Sequence, residues 1–195
     1  MACIALTKGR GLSCDRSSGG VKYIYFGVYD KFTSPIETAG VIVVDSEVTD
    51  INMVALAELY RYTPPRGSSQ AMETITGSTD NGTIFYTPTV SMVLNRLSKE
   101  DQNEIKLLGQ TQVIIFAQLN EQLANGHDVI IALGVTNAMQ MNAGTADSGT
   151  AFADRNGYTL NFDGFEANPF PMVADYTADP FDNAAFDIPG GVVTS

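Results

Sequence analysis

The feature that most constrains this 195-residue chain is that its apolar runs are short, strand-like and closed by turn residues. Val21–Tyr29 (VKYIYFGVY) is rich in β-branched and aromatic residues and lies between Gly20 and Asp30. Tyr158–Phe162 alternates with a period of two. Tyr158, Leu160 and Phe162 fall on one side, Thr159 and Asn161 on the other, the pattern of a half-buried strand. Thr83–Leu94 follows Asn81-Gly82, a strong hairpin-turn dipeptide, and sets Val90, Met92 and Leu94 against Thr89 and Ser91. Val41–Val44, Leu56–Tyr62, Gln112–Leu119 and Asp128–Leu133 read as further strands. The Leu56–Tyr62 segment ends at Pro64-Pro65, which cannot continue a ladder; a helix within Ile51–Leu59 is the alternative there.

One segment is predicted to be helical. Ser98 can cap it, with Lys99, Glu100 and Asp101 in the first turn and Ser98 and Asp101 at capping-box spacing. Ile105 and Leu108, with Leu97 before the cap, supply an apolar stripe, and Gly109 is the expected stop. The expected fold is therefore mainly β: an antiparallel β-sandwich or barrel with one short flanking α-helix. Two stretches look irregular. Thr63–Gly82 is long and polar, interrupted at most by a short strand near Met72–Thr76. Asn168–Ser195 is rich in Pro, Gly, Ala and Asp, with Phe170, Phe181 and Phe186 too apolar to be left in water. The chain divides on this reading into a sandwich domain, 1–167, that includes the loop 63–82, and an extended segment, 168–195, that packs on its own domain or on a neighbour.

Charged residues make up only 17% of the chain, below the usual quarter, as in a protein that buries part of its surface in an assembly. The net charge of −11 argues against nucleic-acid binding through a basic patch. Residues 1–31 hold Lys8, Arg10, Arg16, Lys22 and Lys31 against Asp15 and Asp30, whereas residues 156–195 hold six acids and no Lys or Arg. Such ends can attract between copies or stand apart as two solvated surfaces. No run approaches membrane-helix length and none at the start has signal-peptide length, so neither a membrane nor export is expected. Cys3 and Cys14 lack metal-ligand spacing; a small disulfide loop is possible, and a reduced cytoplasmic state is the expectation.

The search for chemistry turns up isolated groups. His127 and Asp128 are neighbours in a turn and should not point together, and no activated nucleophile accompanies them. Asp147-Ser148-Gly149-Thr150 resembles the aspartic-protease triplet but follows Asn142–Ala146 in place of a hydrophobic strand. The same stretch lacks the Lys of a phosphate loop. Asp175, Asp179 and Asp182 form no fixed calcium ring. No catalytic residue, cofactor or metal is expected.

Several motifs carry a resemblance. These are Thr-Lys-Gly-Arg-Gly-Leu-Ser-Cys (7–14), Gly-Gly-Val-Lys-Tyr-Ile-Tyr-Phe (19–26), Leu-Tyr-Arg-Tyr (59–62) and Asn-Gly-Thr-Ile-Phe-Tyr-Thr-Pro-Thr-Val (81–90). Leu97–Asp101, Glu104–Leu108, Gly144–Ala151 and Asp154–Leu160 continue the series. Over roughly residues 3–170 the chain resembles tailed-bacteriophage virion structural proteins, and its element order is similar to that of tail tube proteins. That resemblance implies a sandwich with a flanking helix and a long hairpin loop. It implies subunits joined edge to edge into rings around a DNA channel, and a loop that reaches a neighbour. Partners would be copies of itself and other tail proteins, in a virion assembled in the host cytoplasm; DNA would pass without specific binding, repelled by an acidic lumen. A capsid decoration or other head protein is the alternative. The residues expected at the interface between subunits are Lys8, Arg10, Pro64, Pro65, Arg66, Met72, Ile75, Phe170, Phe181 and Phe186.

Overall fold

A computed structural model describes residues 9–11 and 17–194. The question of a Cys3–Cys14 pair and the place of Lys8 lie outside those residues. The chain runs through β1 (Val21–Val28), β2 (Val41–Val44), β3 (Glu47–Asn52), β4 (Leu59–Tyr62), β5 (Gln70–Ser78) and β6 (Thr83–Asn95). Helix α1 (Lys99–Leu108) follows, then β7 (Val113–Gln122), β8 (Asp128–Leu133), β9 (Gln140–Asp147) and β10 (Gly157–Asp163). The last part adds three short strands, β11 (Met172–Val173), β12 (Phe186–Asp187) and β13 (Val192–Thr194). The mainly β character with one α-helix agrees with the sequence reading.

Two sheets form. The smaller is an antiparallel meander in space, ordered β5-β6-β10-β9. The larger runs β8-β7-β1-β4 through its centre. Its strand β7 is buried at six successive residues, Val113 to Gln118, because both faces are covered. One face carries Ile24, Phe26, Ile115, Ala117, Ile131 and Leu133, which meet Val90, Met92, Tyr158, Leu160 and Phe162 of the smaller sheet. The Phe26 and Phe162 rings lie 5.1 Å apart across this layer. The other face carries Tyr25, Ile114, Phe116, Ile130 and Ala132, which meet Val41, Val48, Ile51, Leu59 and Phe181 in a second core.

That second core is enclosed because the larger sheet curls, and the C-terminal segment joins its parts. β11 pairs with both β3 and β8, β12 lies along β3, and β13 lies along β4. Only residues 188–191 separate β12 from β13, and so short a link spans less than about 20 Å. These strands pair in parallel with β3 and β4, a departure from the all-antiparallel expectation. The segment 168–194 thus packs on its own chain as a strap.

Other sequence readings are corrected in detail. The strand expected near Met72–Thr76 in the loop 63–82 is longer: β5 pairs with β6 from Gln70↔Ser91 to Ser78↔Thr83, leaving a tight turn that Gly82 closes at φ +62. Its polar residues misled because most of this hairpin faces water, so no apolar face was needed to form it. β9 was missed for a similar reason, being built of small and polar residues exposed at nearly every position, and β3 because its buried residues, Val48 and Ile51, stand three apart and show no period of two. The Ile51–Leu59 helix does not form. Helix α1 begins as expected, with Ser98 Oγ accepting from Asp101 N at 3.0 Å. It also ends where expected, with Gly109 as the cap residue, here in the ordinary right-handed region at φ −67. A Cβ there would stand 3.0 Å from the Met141 methyl, which would have to give way slightly.

Candidate assembly surface

The groups that could carry chemistry are each engaged in holding the fold. His127 and Asp128 point to different partners. Asp128 accepts from Lys22 Nζ at 2.5 Å, Gln118 Nε2 at 2.7 Å and Gln122 Nε2 at 3.2 Å. Burial pushes its carboxyl up, but these donors outweigh that and hold it below the ordinary value. Gln118 in turn accepts from the Tyr25 hydroxyl, whose own pKa burial raises to about 12. His127 Nδ1 lies 2.7 Å from Asp175 and its ring stacks on Tyr176 at 4.5 Å. The bond from His127, helped by Asn125, holds the Asp175 carboxyl below its usual range. The pair pins the start of the strap to the β7–β8 turn, and among the described residues no hydroxyl or thiol is bonded to His127.

A cavity of about 360 Å³ lies where β2, β5, β6, β8 and the strap meet. Three of its four carboxylates are committed. Glu166 accepts from Asn137 N at 2.9 Å and Thr136 N at 3.3 Å, and Glu73 accepts from Phe170 N at 2.9 Å. Burial raises both carboxyls above the usual range against those hydrogen bonds. Glu37 accepts from Thr136 Oγ1 at 2.9 Å. Asp147 ends the exposed strand β9 and accepts from Gly149 N. Among the described residues no cluster of three His, Cys, Asp or Glu is placed to hold a metal ion. None of the described helices is long and apolar enough to cross a membrane.

What remains open to a partner is backbone and apolar surface. Among the described residues, β5 of the four-stranded sheet pairs only with β6 and β9 only with β10, so each presents one row of N–H and C=O groups with no partner among them. β5, QAMETITGS, carries one charge and β9, QMNAGTAD, carries one, and neither has a Pro or Lys to discourage pairing. Beyond the part supported by the larger sheet, β5 and β6 run on as an arm with Met72, Ile75, Ile84 and Phe85 exposed.

The residues expected at the interface divide accordingly. Arg10, Arg66, Met72 and Ile75 are exposed, the last at 64%. Pro64 is buried and Pro65 half-buried in the link from β4 to β5. Phe181 is corrected: it fills the second core and is taken up by its own chain. Phe170 and Phe186 are half-buried against the first and second cores respectively. Sequence reasoning missed Phe152, which stands fully exposed in the β9–β10 loop, because a lone aromatic among small residues carries no periodic signal. Comparison of the chain with protein-family models, curated proteins and solved structures finds no match.

Proposed function

We propose that this chain is a structural subunit that polymerises with its own copies into a hollow tube, the role of a tail tube protein in a bacteriophage virion, and that it catalyses no reaction. The observation that carries the reading is the four-stranded sheet with both edges open. Its strands alternate in direction, so β5 and β9 run opposite ways. Copies related by rotation about an axis along the strands therefore bring β9 of one against β5 of the next in antiparallel register. Each copy satisfies the edge of its neighbour, and the ring leaves none exposed. The sheet then forms the inner wall, and the curled sheet lies outside it.

On this reading the channel is lined by the face turned away from the core. Alternation puts Thr74, Thr87, Thr89, Thr145, Thr159 and Asn161 there, with Asp147 and Asp163 among them. Arg155 reaches the same face by donating to Thr159 Oγ1 at 2.7 Å. With Met72, Phe85 and Val93 on the same face, the wall would be a mixed hydroxyl and apolar surface of low charge, in place of the dense acid expected from the net charge. DNA would slide past because few cations hold its phosphates. Other tail proteins would cap the two ends of the tube.

Electron microscopy of the purified full-length chain tests the proposal. Rings or tubes with a central hole are expected. Thr74→Lys, which places a charge on edge strand β5, is expected to abolish them while leaving thermal unfolding unchanged. A chain that stays monomeric and instead binds preformed capsids would make it a decoration protein and end the tube reading.

A further inference from the structure

The chain sets asparagine before glycine three times, at Asn81-Gly82, Asn125-Gly126 and Asn156-Gly157. Glycine has no Cβ to shield its amide nitrogen, so that nitrogen can approach the side-chain carbonyl carbon of the asparagine before it. The attack needs a carboxamide free to turn and a glycine N–H free to leave its place. The fold withholds both freedoms at two of the three pairs.

Asn125 is tied at both ends of its carboxamide: Nδ2 donates to Asp175 Oδ2 at 2.5 Å, and Oδ1 accepts from His127 N at 3.1 Å. Gly126 N donates to Leu123 O at 2.9 Å. Asn156 is held through Oδ1, which accepts from Leu97 N at 3.1 Å, and through its main-chain carbonyl, which accepts from Arg96 N at 2.6 Å. Gly157 is buried at the start of β10, so close to β6 that an added Cβ would overlap Leu94 O. Asn81 and Gly82 are both exposed in the turn between β5 and β6. The Asn81 main-chain N–H donates to Ser78 Oγ, but among the described residues neither its carboxamide nor Gly82 N makes a hydrogen bond. The space around Gly82 is open, with no atom within 4 Å of where a Cβ would stand.

We propose that Asn81 is a site of spontaneous deamidation in the folded chain, and that the fold protects Asn125 and Asn156 from the same reaction. The Gly82 nitrogen gives up its proton to solvent and bonds to Asn81 Cγ. The bond from Cγ to Nδ2 breaks, and that nitrogen takes up a proton and leaves as ammonia, closing a five-membered imide. Water then splits the imide at one of its two carbonyl carbons. Opening at Cγ leaves aspartate; opening at the main-chain carbon leaves isoaspartate, in which the former side chain carries the backbone. One water is consumed and one ammonia released, with no change of oxidation state. Either product sets a new carboxylate beside Asp80, and isoaspartate also lengthens the turn next to the Ser78↔Thr83 pair. The reaction calls on water and this turn and on no second copy, so it is separate from the tube reading.

The test incubates the full-length chain in warm, mildly alkaline buffer and follows the three asparagines by peptide mapping with mass spectrometry. A parallel sample is held unfolded in guanidinium chloride. The native chain is expected to convert Asn81 to a mixture of aspartate and isoaspartate. Asn125 and Asn156 should convert at least about tenfold more slowly, because each reacts only in the molecules that have opened locally. Unfolding should bring the three rates together, since each site is then the same dipeptide in a free chain. Conversion of Asn125 or Asn156 as fast as Asn81 in the native chain would overturn the proposal. So would an Asn81 that stays intact in the native chain after all three have converted in the unfolded one.

Discussion

The ring of Phe181 lies 4.9 Å from that of Tyr25 and 5.3 Å from that of Phe116, edge to face with each. Aromatic pairs prefer this geometry, and burial of the ring adds to it. To reach that position the backbone takes φ +70 at Phe181, a conformation that a bulky residue adopts only when its surroundings impose it. The neighbouring Asp182 supplies the constraint. Its carboxylate accepts from Thr177 N at 2.6 Å, Ala178 N at 2.8 Å and Asp179 N at 3.0 Å, tying the loop that presents the ring. The backbone bonds, that from Asp179 foremost, lower its pKa to about 2 from the ordinary 3.8. A carboxyl whose folded pKa is depressed stabilises the fold in full above its ordinary value and ceases to do so as pH falls through the folded one. The melting temperature should therefore drop between about pH 4 and pH 2 in part through this group. Asp182→Asn should flatten that limb of the curve. An unchanged acid limb in the variant would show that the loop draws nothing from the charge.

At the scale of elements, local chemistry and tertiary contact share the work unequally. Helix α1 owes its start to Ser98, whose side chain satisfies the Asp101 amide, and no residue of the helix is fully buried. Packing is thin, with Ile105 and Leu108 half-buried against the first core, so the cap is a large share of what holds it. Ser98→Ala should cost about 1 kcal/mol, within the range for such caps, read from the denaturant midpoint. A shift too small to measure would mean that tertiary contact alone sets the helix. The β5–β6 hairpin is the opposite case. Its base is fixed by Ala71 and Val90 in the core, while the outer half has little beneath it and leans on a bridge between Tyr86 and Glu166. Strand edges and arm together are what an isolated molecule leaves unpaired.

For the whole molecule, the strap decides whether the larger sheet can enclose a core. Residues 168–194 insert β11 between β3 and β8, lay β12 and β13 along β3 and β4, and bring in Phe181. They are a structural part of the fold and not an added decoration. Truncation after Ala167 should uncover Tyr25, Ile114 and Phe116 on one face of the central strands. The shortened chain is expected to lose cooperative unfolding and to bind a hydrophobic dye, as measured by calorimetry and fluorescence. A truncated chain that still melts as one sharp transition would show the strap to be dispensable.

Alternation at Tyr158–Phe162 and Val90–Leu94, the β-branched run at Val113–Ile115, the Asn81-Gly82 turn and the Ser98 cap were all legible in the sequence, because each depends on neighbours only a few residues away. They determined a mainly β chain with one short helix. Of β5 only Met72–Thr76 was legible and of β9 nothing, since a strand that faces water needs no apolar period and is defined by the partner it pairs with; β3 was hidden because its two buried residues, Val48 and Ile51, stand three apart and break the period of two. The destination of Phe181 was equally hidden: its apolar character demanded burial, but only the curl of a sheet assembled from residues far apart in the chain supplied the place. The exposed edges and the Phe152 loop became visible for the same reason. An unpaired edge is a property of the finished sheet, and no local stretch of sequence states which of its strands will stand last.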